Sequence, residues 1–139
     1  MALSVVRFEH AHTVGWGVLF AQSIAPLAGS YPTTGDLLRD GQAELRSLSP
    51  RDARLPLASV RLLSPVTQNQ QFICQGINYA SHVRESGMDP DKIPFNTIFT
   101  KASSCLTGAH DDVVRPRHVH LLDYEIELGL MLTQDRKSV

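Results

Sequence analysis

"SVVRFEHAHTVGWGVLF", residues 4–20, is the stretch on which the reading of the fold turns. Branched and aromatic side chains crowd both of its runs, "SVVRFEH" and "VGWGVLF", and only "AHT" separates them. Such side chains pack well on a pleated, half-buried surface, and so brief a link leaves room only for a tight reversal. The stretch predicts a β-hairpin, or the first two strands of a small sheet.

Working outward, "AQSIAPLAGSYPTTG" carries two prolines and two glycines and reads as turns. "TTGDLLRDGQAELRSL" predicts a short helix from Asp36, interrupted at Gly41, and "ASVRLL" a strand closed by Pro65. The polar "TQNQQ", residues 67–71, marks a boundary. Beyond it, "FICQGI" reads as a compact apolar strand ending in glycine. "NYASHVRESG" reads as a helix of about two to three turns, with Asn78 as its N-cap and Gly87 as its stop. "MDPDKIPFN" is loop, "TIFTKASS" a strand, and "TGAHDDVVRP" a turn followed by a short extended piece. "LLDYEIELGLML", residues 121–132, alternates apolar and polar residues and predicts a further strand. The expected class is mainly β with short helices (α+β), in two units, residues 1–68 and 69–139.

Composition narrows the function classes. With 139 residues, a net charge of -1 and 42% hydrophobic residues, the chain fits one ordinary soluble domain or two small ones. Nothing is basic enough to point to nucleic acid or an anionic membrane surface. No run approaches the ~18 apolar residues of a membrane span. The opening "MALSVVRFEHAH" meets Arg7, Glu9 and His10 too early for a signal peptide. Cys74 and Cys105 stand in no metal-like spacing, so two free thiols in a reducing cytoplasm are expected.

Chemistry concentrates in the second half. On a strand, Glu125 and Glu127 share one face, while Tyr124, Ile126, Leu128, Leu130 and Leu132 fill the other. Two carboxylates side by side repel unless a cation or basic side chain lies between them, and oxygen donors favour Mg²⁺ or Mn²⁺ over zinc. A solvent-facing polar edge of an amphipathic strand has the same pattern. His82 and Glu85 are three apart and share a helix face; a carboxylate beside an imidazole raises its basicity and suits activation of water. A solvated surface contact has the same spacing. Lys101 is a single cation near this chemistry, or an exposed lysine. The alternating pairs His10/His12 and His118/His120 are metal-capable but read better as surface histidines.

Three stretches of this half, "ICQGINYASHVRESG", "PFNTIFTKASSCLTGAHDDVVRP" and "LDYEIELGLML", resemble the fumarylacetoacetate hydrolase family. In order they fit its G-x-N-Y-x-x-H-x-x-E opening, its P-x-x-F-x-K segment, here with a longer gap between Pro94 and Phe99, and its Y-E-x-E-L strand. The first half is similar to the small β-rich N-terminal domain of bacterial members. The resemblance implies a β-sandwich roll, present only in its first part, after that small domain. It implies Glu125 and Glu127 as two of three carboxylate ligands to Mg²⁺ or Mn²⁺, His82 and Glu85 as a water-activating dyad on a short lid helix, and Lys101 as a substrate-binding cation. The implied substrate is a small 2-oxo or diketo acid, whose oxygens chelate the ion while an enolate forms and a carbon–carbon bond breaks.

The expected activity is therefore a divalent-metal-dependent hydrolase of fumarylacetoacetate or acylpyruvate type, from aromatic or 2-oxo acid catabolism. The alternatives are a decarboxylase or isomerase acting on oxaloacetate or a hydroxymuconate-type acid, and a non-catalytic truncated chain acting only by association. A homodimer is expected of the complete protein. The family's third ligand, an aspartate, is expected well downstream of Glu127. Asp135 lies too close to it, and Asp123 falls on the opposite strand face, so the sequence reads as a truncated form.

Overall fold

The computed structural model describes residues 2–92, 97–122 and 124–132. By their internal contacts the residues fall into two compact units, Met1–Pro65 with Thr107–Val139, and Val66–Leu106. The described part is mainly β with short helices, as the residue patterns predict.

In the first unit, β1 (Val5–His10) and β2 (Thr13–Phe20) form the expected hairpin, with Val5 opposite Val18 and His10 opposite Thr13. That register leaves only Ala11 and His12 to turn the chain, at φ 47° and 63°. Two consecutive residues at positive φ define the tight primed turn whose twist matches that of paired strands. β3 (Ser23–Pro26) follows β2 after a second two-residue loop, in which Ala21 has φ 52°. This strand is a correction to the turn-rich reading of "AQSIAPLAGSYPTTG": Pro26 ends the strand, where its missing N–H costs little. β4 (Leu55–Pro56) and β5 (Arg61–Leu63) complete an antiparallel sheet of order β4-β3-β2-β1-β5.

Alternation along β2 places Trp16 and Val18 on one face, where they meet Leu37 and Leu45 in the core. Those leucines come from α1 (Thr34–Asp40) and α2 (Gln42–Ser47), which meet at Gly41 as predicted. Burying each leucine contributes about 2 kcal/mol. The first helix starts two residues before the predicted Asp36, because Thr33 is its N-cap: Thr33 Oγ1 accepts from Asp36 N, and the Asp36 carboxylate accepts from Thr33 N. The Thr33 hydroxyl, then Arg39, hold the Asp36 carboxyl below its usual range. Thr34, 3% exposed, donates to Pro65 O at 2.8 Å and ties the helix start to the exit from β5.

On the other face of β2, glycine is required. A Cβ on Gly17 would lie 2.4 Å from Ile24 Cγ2 and 2.7 Å from Ala25 O, so the missing side chain lets Ile24 close over the strand. The loop from β3 to α1 is fastened by Glu44, whose carboxylate accepts from Ala28 N, Gly29 N and the Tyr31 hydroxyl. Chain 107–111 returns to this unit: Asp111 accepts from Gly108 N at 2.9 Å and from Arg61 Nη2 at 3.1 Å, while Arg61 Nη1 reaches Glu9 at 3.3 Å.

In the second unit, β6 (Phe72–Gly76) pairs antiparallel with β7 (Thr97–Lys101), Phe72 opposite Lys101 and Gly76 opposite Thr97. Helix α3 (Ala80–Glu85) follows and is shorter than predicted. Tyr79 takes the N-cap place expected of Asn78, with no side-chain cap bond. Gly87, at φ 75°, stands just past the helix end, as its reading as a stop requires.

The strand expected over residues 121–132 is not formed among its described residues, 121–122 and 124–132, which are irregular. Ile126 is 92% exposed and Leu132 90%. A strand is held by a ladder partner and a covered face. Among the described residues no strand pairs with this segment, so its alternation finds nothing to pack against. Asp123 and Asp135 lie outside the described residues, as do residues 93–96 of the P-x-x-F-x-K segment.

Candidate functional site

The second unit positions three of the sequence-derived candidates. His82 and Glu85 lie on α3 and are exposed, while Val83 between them is 3% exposed and is the helix's buried residue. One face of this short helix is thus fastened by Val83, and the imidazole and carboxylate are presented to solvent. The chain enters α3 through Ile77, at φ 53°. A β-branched residue in that region is a genuine outlier, and such outliers persist where the surroundings over-determine them. No composition signal marks a backbone of this kind. Lys101 is the last residue of β7 and exposed.

Glu125 and Glu127 are exposed and lie in the irregular segment grouped with the first unit. Carboxylate oxygens are the right donors for a hard divalent ion. Among the described residues, however, no three His, Cys, Asp or Glu side chains come together in a way that suits a metal. His10, His12, His118 and His120 are exposed, in keeping with surface histidines. Cys74 and Cys105 are both free thiols. Among the described residues no helix is long and apolar enough to cross a membrane.

Two polar clusters escaped the sequence reading. One is Glu44 with its three donors. Burial works against the charge of Glu44, but hydrogen bonds from Ala28 N, Tyr31 and Gly29 N outweigh it and hold the carboxyl below its usual range. The other is Asp111, kept ionised by the Gly108 N–H and then by Arg61. The spacing Gly108-x-x-Asp111 is the local signal for the second cluster; nothing local signals the first, whose partners are 13 to 16 residues apart.

Residues 71–139 match the family described as fumarylacetoacetate (FAA) hydrolase, C-terminal, and residues 4–65 match Rv2993c-like, N-terminal. The chain belongs to the fumarylacetoacetate hydrolase family. It is 31% identical over 151 aligned residues to the oxaloacetate tautomerase FAHD2A, mitochondrial, of Bos taurus, covering 99% of this chain and 47% of that protein. The Homo sapiens protein of the same name is 29% identical, with the same coverage. A Burkholderia multivorans protein is 38% identical over 128 residues, covering 88% of this chain and 44% of that protein. The chain thus spans about half the length of the curated relatives it matches.

Proposed function

We propose that this sequence is part of a divalent-metal-dependent enzyme that cleaves a carbon–carbon bond in a small diketo acid of fumarylacetoacetate or acylpyruvate type. The observation that carries the reading is the Glu125-x-Glu127 pair within the matched stretch 71–139, in register with His82 and Glu85. In this reading the N-terminal domain is residues 1–68 and the catalytic domain begins at residue 69. Glu125 and Glu127 give two carboxylates to Mg²⁺ or Mn²⁺, and the third carboxylate ligand is not among these 139 residues. A bound ion supplies Lewis-acid charge stabilisation to the substrate's oxygens.

The chain's own groups do the rest. His82 takes a proton from water, and Glu85, one turn along the same face, orients the imidazole and stabilises its charged form. Lys101 pairs with a substrate carboxylate. A homodimer and a cytoplasmic location belong to this reading, although the mammalian relatives carry "mitochondrial" in their names.

A second reading, tautomerisation or decarboxylation of oxaloacetate, is favoured by the names of the same mammalian relatives. Acylpyruvate and oxaloacetate turnover assays on the full-length protein separate the two. In that protein, Glu125→Gln and Glu127→Gln are expected to abolish Mn²⁺ binding by calorimetry; undiminished binding in both variants sinks the ligand assignment. His82→Ala is expected to keep metal affinity and slow turnover ~10²-fold or more. Wild-type turnover in that variant refutes the dyad.

A further inference from the structure

We propose that the first unit holds a second binding site, at Arg7, for the carboxylate of a small organic acid. Arg7 shares a sheet face with Trp16, its cross-strand partner, and its guanidinium lies over the indole, 5.9 Å from the ring centroid. That face is the core face, and Arg7 is half-buried on it. Arg7 Nε is buried and has no hydrogen-bond partner among the described residues. Nor does Arg7 join any of the ion pairs there.

Glu9, two residues along the same strand, pairs with Arg61, and Glu44 is held by Ala28 N, Gly29 N and Tyr31. Beside the guanidinium opens a cavity of about 200 Å³, lined by Arg7, Trp16, Gly29, Ser30, Tyr31 and Pro32 among others. Its floor is rigid, because Trp16 Nε1 donates to Tyr31 O at 2.8 Å and fixes the loop against the indole.

A guanidinium offers parallel N–H donors in a planar fork, which match the two oxygens of a carboxylate. The guanidinium carbon lies over the Trp16 ring, which keeps the fork at the cavity that both residues line. The volume suits an acid of few heavy atoms. The site uses none of His82, Glu85, Lys101, Glu125 or Glu127, so it stands or falls apart from the proposed catalytic reading.

The test is a titration of the intact protein with sodium acetate, and separately with inorganic phosphate, against sodium chloride at matched ionic strength. The Trp16 indole N–H resonance, assigned with Trp16→Phe, is the reporter. A saturable shift with acetate but not chloride is expected, weakened at least tenfold by Arg7→Gln. Should Arg7→Gln fail to fold, Ser30→Asp serves: Ser30 is exposed, and an attached carboxylate there competes for the guanidinium. It too is expected to weaken acetate binding tenfold or more. A shift that does not saturate, or equal affinity in the variants, overturns the site. Tighter binding of phosphate than of acetate overturns the ligand class.

Discussion

The Tyr31 hydroxyl donates a 2.9 Å hydrogen bond to Glu44 Oε2, joining the loop after β3 to the first turn of α2. The same bond raises the Tyr31 hydroxyl pKa and helps to lower that of Glu44. A carboxyl depressed in the folded state contributes stability that is full above its unfolded value, near 4.5, and is lost as pH falls through the lower folded value. Glu44→Gln is therefore expected to lower the melting temperature at pH 7 and to change it far less near pH 3. Equal losses at both pH values would assign the effect to packing instead.

Gly17 is the second prediction. Because an added Cβ would meet backbone at Ala25 as well as Ile24, neither neighbour can simply swing aside. Gly17→Ala is expected to destabilise the first unit by about 1–3 kcal/mol in urea unfolding. Gly15→Ala, whose Cβ would sit 3.6 Å from Phe8 Cζ in ordinary contact, is expected to cost much less.

Ile77 reverses the usual ranking of alanine over glycine. Both truncations remove the same side chain, but only glycine relaxes at φ 53°. Ile77→Gly is expected to be more stable than Ile77→Ala by about 1 kcal/mol, read from hydrogen exchange of the β6 and β7 amides. Alanine equal to glycine would mean that the left-handed backbone at this position carries no strain.

Arg61 and Asp111 are partners of unequal weight. Arg61 is 58% exposed at its side chain, so its ion pairs are screened and Arg61→Ala is expected to cost less than about 1 kcal/mol, vanishing in concentrated salt. Asp111 also accepts from the Gly108 N–H and the Thr107 hydroxyl. Asp111→Ala leaves those donors unmatched and is expected to cost more, with a part that salt does not remove. Identical salt dependence for the two variants would contradict this division.

What could be read from the residues depended on the range of the forces involved. The β1–β2 hairpin, the break at Gly41 and the stop at Gly87 are local matters of branching, backbone freedom and chain reversal, and each was legible. β3 was hidden because Pro26 at its end and Gly29, Pro32 and Gly35 beyond it look like turn formers until the register with β2 is known. The strand over residues 121–132 failed for the opposite reason: its alternation is plain, but a strand also needs a neighbour, which alternation does not supply. At the candidate site, His82 and Glu85 share a helix by a spacing rule and were visible. The left-handed Ile77 and the stacked Arg7 follow from tertiary constraint, and no short pattern announces them.

The order of the sheet has a consequence for how the polypeptide is made. β1 lies between β2 and β5, and its second neighbour is Arg61–Leu63, with Glu9 opposite Arg61. The meander of β1, β2 and β3 can close as soon as those residues leave the ribosome. One edge of β1 must then wait while roughly forty residues more are added, a matter of seconds at about 5–20 residues per second. During that interval a nascent chain offers a free ladder to any neighbour on the same message. Rare codons between Pro26 and Arg61 would lengthen the exposure, and faster ones would shorten it.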